Sequence, residues 1–497
     1  MAQNICCIGA GYVGGPTSAV IAKHCPELLV TVVDQDEQRI TAWKSCQLPL
    51  HEPNLYETVV LPRDGIPGKR SPNLFFTTDF EHAVADADLI LLCVETPTKD
   101  RGHGAGYAFD LGRLEVAVRR IAPIIKSNTI IVEKSTVPCK TADRVREMLE
   151  INCSSGVNFE VLSNPEFLSQ GTMIADLEKP DRVVVGSGSH EAGRCAATVL
   201  ENIYAHWVPR SRIVQLNVCS SELAKIVANC FLAQRISNIN TLSAVCEETG
   251  SDINEVSQAV GLDRRVGPHM LQPSVGFGGS CFKKDILSLV YTAESLHLPQ
   301  VAAYWKSVVD INEWQKDRFV KLVLEHFNGT VTSRRISVLG FTYKANTDDT
   351  RESAAISIVS SLVDEGAQIC VYDPHASKDQ IYKELYCKYP SEDAIDKAVF
   401  VSKDPYEACT EAQAILVLTG WDEFKLPETS ETERVKSMDN EMAQLTCAEF
   451  QSRKHLDWRR MSELVSKPKL IFDGSTTISG GLTELGFRVI KIGSPKA

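Results

Sequence analysis

The sequence predicts an α/β protein with two doubly wound parallel-sheet domains joined by a central helical block. Three observations carry this. Short apolar runs alternate with helical stretches over the first 215 residues. From about Ser220 to Glu248 the apolar residues Leu223, Ile226, Val227, Cys230, Phe231 and Ile236 then recur at helical spacing. Strand-like runs resume at Arg335. At 497 residues the chain is long for one core and suggests about three domains. The predicted division is 1–215, 216–328 and 329–497, with a polar, charge-rich insertion at 424–454.

Residues 5–8 form a short apolar strand that runs into Gly9-Ala10-Gly11-Tyr12-Val13-Gly14 and then a helical stretch through Lys23. Residues 29–33 make the second strand, which ends at Asp34, twenty residues past Gly14. G-x-G-x-x-G between a strand and a helix, with an acid at the end of the next strand, marks a Rossmann-like dinucleotide site. The glycines admit a pyrophosphate to the helix N-terminus, and Asp34 can take the ribose hydroxyls. A carboxylate there repels a 2′-phosphate, so NAD is expected rather than NADP. Further strands are predicted at 88–94, 129–132, 161–162 and 182–186. Ligands of such sheets sit past the carboxyl ends of strands, which makes Thr98, Thr136 and Glu166 site candidates.

In the helical block, Lys225 and Asn229 lie four apart and share a face. Gly250 stops that stretch. Residues 274–285 read Ser-Val-Gly-Phe-Gly-Gly-Ser-Cys-Phe-Lys-Lys-Asp. Three glycines in four positions let backbone approach a ligand, and Cys281 follows at once, near cations and a helix start. The helical region continues through 301–327. The second α/β unit has strands at 335–339, 367–372, 414–418 and 469–472, and residues 349–353 open a helix.

Composition excludes several classes. A net charge of -12 argues against nucleic acid or anionic lipid as a partner. Sixteen cysteines contain no C-x-x-C pair, so neither a metal site nor a disulfide framework is expected, and free thiols fit a cytoplasmic location. The apolar start lacks a basic leader, and no run reaches the ~18 apolar residues of a spanning helix.

A dinucleotide fold with a cysteine on a glycine loop joins hydride transfer to covalent thiol chemistry. A dehydrogenase that stops at an aldehyde needs no thiol. One that proceeds to an acid can pass through a thiohemiacetal and a thioester. Lys225 could stabilise the oxyanion, and Asp285 could position or deprotonate water.

Six ordered motifs resemble those of the nucleotide-sugar dehydrogenase family, in its eukaryotic, UDP-glucose-oxidising type. They are 9–14, Glu133-Lys134-Ser135-Thr136-Val137-Pro138, Asn164-Pro165-Glu166-Phe167-Leu168, Lys225 with Asn229, 276–285, and Asp349-Thr350-Arg351-Glu352-Ser353. The resemblance implies four-electron oxidation of the sugar C6 hydroxyl to a uronate with two NAD, the substrate being UDP-glucose. It implies Cys281 as nucleophile, Lys225 as oxyanion partner and acid/base, and Glu166, Thr136 and Asp285 on the water and proton transfers, with Asn229 beside them. It assigns Gly9, Gly11, Tyr12, Val13, Gly14, Asp34, Arg39, Val94, Thr96, Thr98, Ser135, Thr136, Gln170, Lys284 and Arg351 to NAD. It assigns Glu166, Phe167, Leu168, Lys225, Asn229, Gln272, Ser274, Gly276, Phe277, Gly278, Tyr343 and Lys344 to the substrate, and Arg265 to a neighbouring subunit's sugar site. Self-association as a dimer or higher, up to a hexamer, is implied as well.

The chain departs from the family at Glu95, Gln170, Gln272 and Ala345-Asn346. Ser475-Thr476-Thr477 follow Asp473-Gly474 where the family has a substrate-contacting arginine. Three alternatives stay open: a UDP-N-acetyl-hexosamine dehydrogenase, which that last departure allows; a two-electron β-hydroxyacid dehydrogenase, which shares the architecture; and a catalytically weak UDP-sugar or NAD-binding homologue, which could also show such a loss. The thiol disfavours the second, and retention of Cys281, Lys225, Asp285 and Glu166 disfavours the third.

Overall fold

Strands that alternate with helices must pair in parallel, because each return to the same sheet edge crosses over a helix. The computed structural model bears this out, and it describes residues 3–388, 392–426, 455–478 and 480–495. The chain divides into two compact units, Met1–Cys230 with Lys284–Trp305, and Phe231–Lys283 with Lys306–Ala497.

The first unit holds an eight-stranded sheet in the order β3-β2-β1-β4-β5-β6-β7-β8. Its strands are β1 Asn4–Ile8, β2 Leu29–Val33, β3 Leu74–Thr77, β4 Leu89–Leu92, β5 Thr129–Glu133, β6 Phe159–Ser163, β7 Val183–Ser187 and β8 Ile213–Asn217. All pairs are parallel except β6 with β7, which meet antiparallel at Ser163 and Gly186. Both faces of β1 are buried. Ile5 and Cys7 pack into one core with Val30, Val32 and Trp43, while Cys6 and Ile8 pack into the other with Ile90 and Leu92. That is why β1 reads as a continuous apolar run rather than an alternating one. The strand order reverses between β1 and β4, the switch point where such sheets bind ligands. β4 is shorter than the predicted 88–94. Beyond it, the Ser135 hydroxyl donates to the Val94 carbonyl at 2.6 Å.

The second unit has a six-stranded, all-parallel sheet in the order β11-β10-β9-β12-β13-β14. Its strands are β9 Arg335–Leu339, β10 Gln368–Tyr372, β11 Val399–Val401, β12 Ala414–Val417, β13 Leu470–Asp473 and β14 Arg488–Lys491. The helix Ala354–Asp364 is capped by Ser353, whose hydroxyl accepts the Ala355 N–H. Of the predicted insertion, Phe424 is fully buried, and 427–454 lie outside the described residues. The central helical sequence forms the helices Val218–Thr249, Phe282–Ser295 and Pro299–His326.

Candidate functional site

The glycine turn after β1 is held from below. Trp43, fully buried, donates its indole N–H to the Ala10 carbonyl at 2.9 Å. A Cβ on Gly14 would overlap the Gly9 carbonyl and crowd Cys7 and Cys93, whereas one on Gly11 would meet nothing within 4 Å. Glycine is thus obligatory at Gly14 for packing, and Gly11 faces open space, as a pyrophosphate cradle needs. Tyr12 and Val13 pack against the first unit's core. Asp34 closes β2. Its carboxylate accepts the Ala10 N–H at 2.8 Å and the Asp36 N–H at 3.0 Å, and meets Arg39 at 3.1 Å. These residues fit the adenosine half of a dinucleotide. Neither Trp43 nor its bond to Ala10 was anticipated from sequence, because an indole in a helix reads as ordinary core.

Across the switch point, the ends of β4 and β5 are tied together. Thr96 donates to the Thr136 carbonyl at 2.7 Å, and Ser135 donates to the carbonyls of Leu92 and Val94. Lys284 reaches the Thr96 carbonyl at 3.2 Å and lies over the Phe109 ring. Thr98 bridges to Phe109. Glu95, the departure noted above, is exposed and paired with Arg113. Gln170 sits half-buried in the loop after β6, next to Gly171, whose N–H is held by Glu52 at 2.8 Å.

Five of the six predicted catalytic residues lie in this unit, and four form two buried pairs. Lys225 meets Glu166 at 3.2 Å, with side chains 4% and 11% exposed. Asn229 donates to Asp285 Oδ2 at 2.7 Å. Asp285 Oδ1 is buried and makes no hydrogen bond among the described residues; the Lys284 ammonium is 3.6 Å from it. Burial pushes the Asp285 carboxyl above its ordinary value, although Lys284, Lys225 and the Asn229 amide pull the other way. Glu166 goes in the opposite direction. Burial alone would raise it, but Lys225, the Leu168 N–H and Lys134 together hold it below the usual range. Two carboxyl groups of one site are thereby driven apart, the pattern expected of distinct proton-transfer roles. The fifth residue, Thr136, is half-buried at the end of β5. Phe167 lies under the Arg182 guanidinium at 3.7 Å and near Lys225 at 5.5 Å, and Leu168 donates its N–H to Glu166 at 2.6 Å.

Lys134 was missed. It is 3% exposed and donates to the carbonyl and the side-chain oxygen of Asn164, both at 3.1 Å, while Tyr204 donates to the same side chain at 2.8 Å. The lysine thus braces the Asn164-Pro165-Glu166 turn from behind. Its place between Glu133 and Ser135 in a quoted motif was the only available signal.

The second unit carries the cysteine loop. Cys281 is exposed and directly precedes the helix Phe282–Ser295, a terminus that favours negative charge. The loop before it is held by amides on two helices. Asn312 takes the Phe277 N–H at 2.7 Å and donates to its carbonyl at 3.0 Å. Asn240 takes the Ser274 N–H, and Gln315 donates to the Ser274 carbonyl. Asn240, Asn312 and Gln315 are each at most 1% exposed. An amide within the apolar stripe of a helix is the sequence signal for such a brace. Gly279 has φ +84, its N–H donates to the Arg351 carbonyl at 3.0 Å, and a Cβ there would lie 2.8 Å from the Tyr343 ring. Glycine is therefore required at Gly279 twice over. Lys344 lies 5.8 Å from the centre of that ring. The Arg351 guanidinium forks onto Asp349 at 2.9 and 2.6 Å. Gln272 and Arg265 are exposed, and Arg265 pairs with Asp263 at 2.6 Å.

The strand end lacking arginine adjoins this loop. Val275 donates its N–H to the Gly474 carbonyl at 2.9 Å. The Asp473 carboxylate gathers the N–H groups of Ser475, Thr477 and Ile478 at 3.2, 3.1 and 2.8 Å. Thr476 has φ +54, uncommon for a β-branched residue. Arg460 stacks over Tyr406 at 4.0 Å, so its guanidinium is engaged on that ring.

Comparison with known proteins matches three family models along the chain. They are the NAD binding, central and UDP binding domains of the UDP-glucose/GDP-mannose dehydrogenase family, at residues 3–208, 219–314 and 337–441. A UDP-glucose 6-dehydrogenase of Drosophila melanogaster is 46% identical over 494 residues, covering 99% of this chain and 96% of that protein. UDP-glucose 6-dehydrogenase 5 of Oryza sativa subsp. japonica is 47% identical over 503 residues, covering 99% and 97%. Among solved structures, a UDP-glucose dehydrogenase from the archaeon Pyrobaculum islandicum superposes with a TM-score of 0.76 at 27% identity, covering 98% of both chains.

Proposed function

The chain belongs to the UDP-glucose/GDP-mannose dehydrogenase family, and on that premise we propose that it oxidises UDP-glucose at C6 to UDP-glucuronate with NAD, through intermediates bound to Cys281. It is an NAD-dependent oxidoreductase of nucleotide-sugar metabolism. The observation that carries the proposal is the buried Lys225–Glu166 and Asn229–Asp285 set, with its two carboxyl groups shifted in opposite directions.

Bound NAD supplies the hydride acceptor for each of the two oxidations. The C6 hydroxyl proton leaves through Lys225, which as an ammonium steadies the oxyanion and releases that proton to bulk water before the second oxidation. The Cys281 sulfur forms a bond to the C6 carbonyl carbon, and the carbonyl oxygen becomes the thiohemiacetal hydroxyl. Loss of that hydroxyl proton to Lys225, together with the second hydride, leaves a thioester. Asp285 positions and deprotonates a water that attacks the thioester carbon; the C–S bond breaks and the Cys281 thiol is restored. Glu166 and Thr136 order that water, and Asn229 fixes Asp285. Arg182, stacked on Phe167, joins the substrate-side residues.

The division 1–215, 216–328 and 329–497 is kept as the functional one, supported by the spans of the three family matches. Self-association is supported by the long helix Val218–Thr249, which exposes Phe231, Leu242 and Val245. Arg265 is proposed to serve a neighbouring subunit's sugar site. Among the described residues no helix is long and apolar enough to cross a membrane.

The test is NADH formed per UDP-sugar consumed, with UDP-glucose and its N-acetyl analogues. Two NADH per UDP-glucose is expected. One would mean plain alcohol oxidation, none would mean a binding protein, and preference for an N-acetyl sugar would overturn the substrate.

A further inference from the structure

The end of β5 carries a carboxyl group that the reaction does not use. Glu133 is 1% exposed, and among the described residues no N–H or O–H group donates a hydrogen bond to either of its side-chain oxygens. In the sheet Glu133 stands beside Ser163, whose hydroxyl is 2.8 Å from that of Ser221, the residue before Glu222, and this brings the two buried carboxyl groups together. Glu222 is 2% exposed and sits on the helix Val218–Thr249, three residues before Lys225. The two environments are unequal. Glu222 accepts the N–H groups of Lys140 and Ala142 at 2.7 and 2.9 Å, at the N-terminus of the helix Thr141–Asn152. Two donors and a helix N-terminus favour its ionised form. Glu133 has neither. Two like charges in contact in a dry interior cannot both persist.

We propose that Glu133 and Glu222 share one proton in a buried carboxyl–carboxylate bond, and that Glu133 is thereby a positioning residue. The bond fixes the end of β5, with Thr136 three residues on, in register with the helix that carries Lys225 and Asn229. This rests on the function proposed above for those residues. The proton resides on Glu133. Burial pushes that carboxyl well above the usual range, and the Glu222 charge and Asp143 push it further. The other titratable groups facing the pair are Asp143 and Cys139, and burial and Glu222 push the Cys139 thiol up to about 11. A folded-state value above the unfolded one means stability that is present at low pH and lost as pH rises through the folded value.

Two variants of the full chain test this. Glu133→Gln keeps a neutral donor toward Glu222, so kcat at neutral pH stays within about threefold of wild type. Its Tm should equal that of wild type at low pH and exceed it by about 2–4 °C as pH rises. Glu133→Ala leaves Glu222 facing a void, and kcat falls about ten- to a hundredfold with a smaller change in KM for NAD. Loss of kcat in Glu133→Gln as deep as in Glu133→Ala overturns the positioning role. Parallel Tm curves for wild type and Glu133→Gln overturn the shared proton whatever the activity. If wild type forms no NADH from UDP-glucose, the proposed function falls, and the Tm curves, which need no substrate, still decide the proton.

Discussion

Replacing Lys225 by methionine keeps the length of the side chain and removes its charge. Glu166 is the group that feels it, 3.2 Å away and 11% exposed. Breaking a pair this buried by removing one partner costs about 3–5 kcal/mol when the remaining charge stays ionised. Glu166 can escape most of that by taking a proton. Lys225 is the largest of the influences that hold its carboxyl down against burial, so its value should move from below the ordinary range to above it. In wild type the lowered carboxyl contributes stability that is present at neutral pH and lost as pH falls through its folded value. In the variant the sign inverts, and stability is lost as pH rises. Catalysis loses both an acid/base group and an oxyanion partner, about 10²–10⁴ in kcat. NAD binding, which uses the β1 and β2 ends, should hold. The measurements are steady-state NADH formation, NAD titration by fluorescence and Tm between acid and alkaline pH. A kcat within tenfold of wild type would remove Lys225 from the reaction, and an unchanged pH slope of Tm would show that the ion pair does not set the state of Glu166.

Cys281→Ser should stop after the first hydride or at a stable ester, since an alkoxide is a far poorer leaving group than a thiolate; single-turnover NADH yield with intact mass reads this, and full multiple turnover contradicts it. Asp34→Ala should raise KM for NAD by ~1.5–3 kcal/mol in free energy, the worth of charged hydrogen bonds, and an unchanged KM would remove Asp34 from the cofactor site. Chains bearing Arg265→Ala mixed with chains bearing Cys281→Ser should regain part of the lost activity if sites are shared between subunits, and verified hetero-oligomers that stay inactive would rule sharing out. Thr476→Arg should lower KM for UDP-glucose roughly ten- to a hundredfold with less effect on kcat, because a guanidinium donates two charge-assisted bonds where a hydroxyl donates one neutral bond. A KM that is unchanged or higher would show that residues 475–477 do not reach the sugar.

What the sequence disclosed and what it concealed divide along a physical line. The glycine turn, Asp34 at a strand end and the Lys225–Asn229 spacing are local patterns, and local backbone requirements alone place them at the ends of β1 and β2 and on one helix face. For the same reason the predicted strands fall within two residues of those found, but β3, β8, β11 and β14, which are short or partly exposed, carry no such apolar run and were not predicted. Lys134, Trp43, Asn240 and Asn312 are different. Each is ordinary in its own segment, and each acquires its role from a partner 30 to 35 residues away. No periodicity encodes such a pairing. Glu133 and Glu222 carry this furthest, because an exposed glutamate and a proton-sharing one are the same letter. The loss of arginine after Asp473 shows the converse. The sequence revealed the absence, but only the fold showed that Gly474 hydrogen-bonds to Val275 in the glycine loop, so that the altered residues adjoin the backbone proposed to wrap the nucleotide. A substitution whose neighbour lies some two hundred residues upstream acquires its meaning from that contact. The Thr476→Arg experiment is therefore a test of the fold's placement of this loop as much as of the missing side chain.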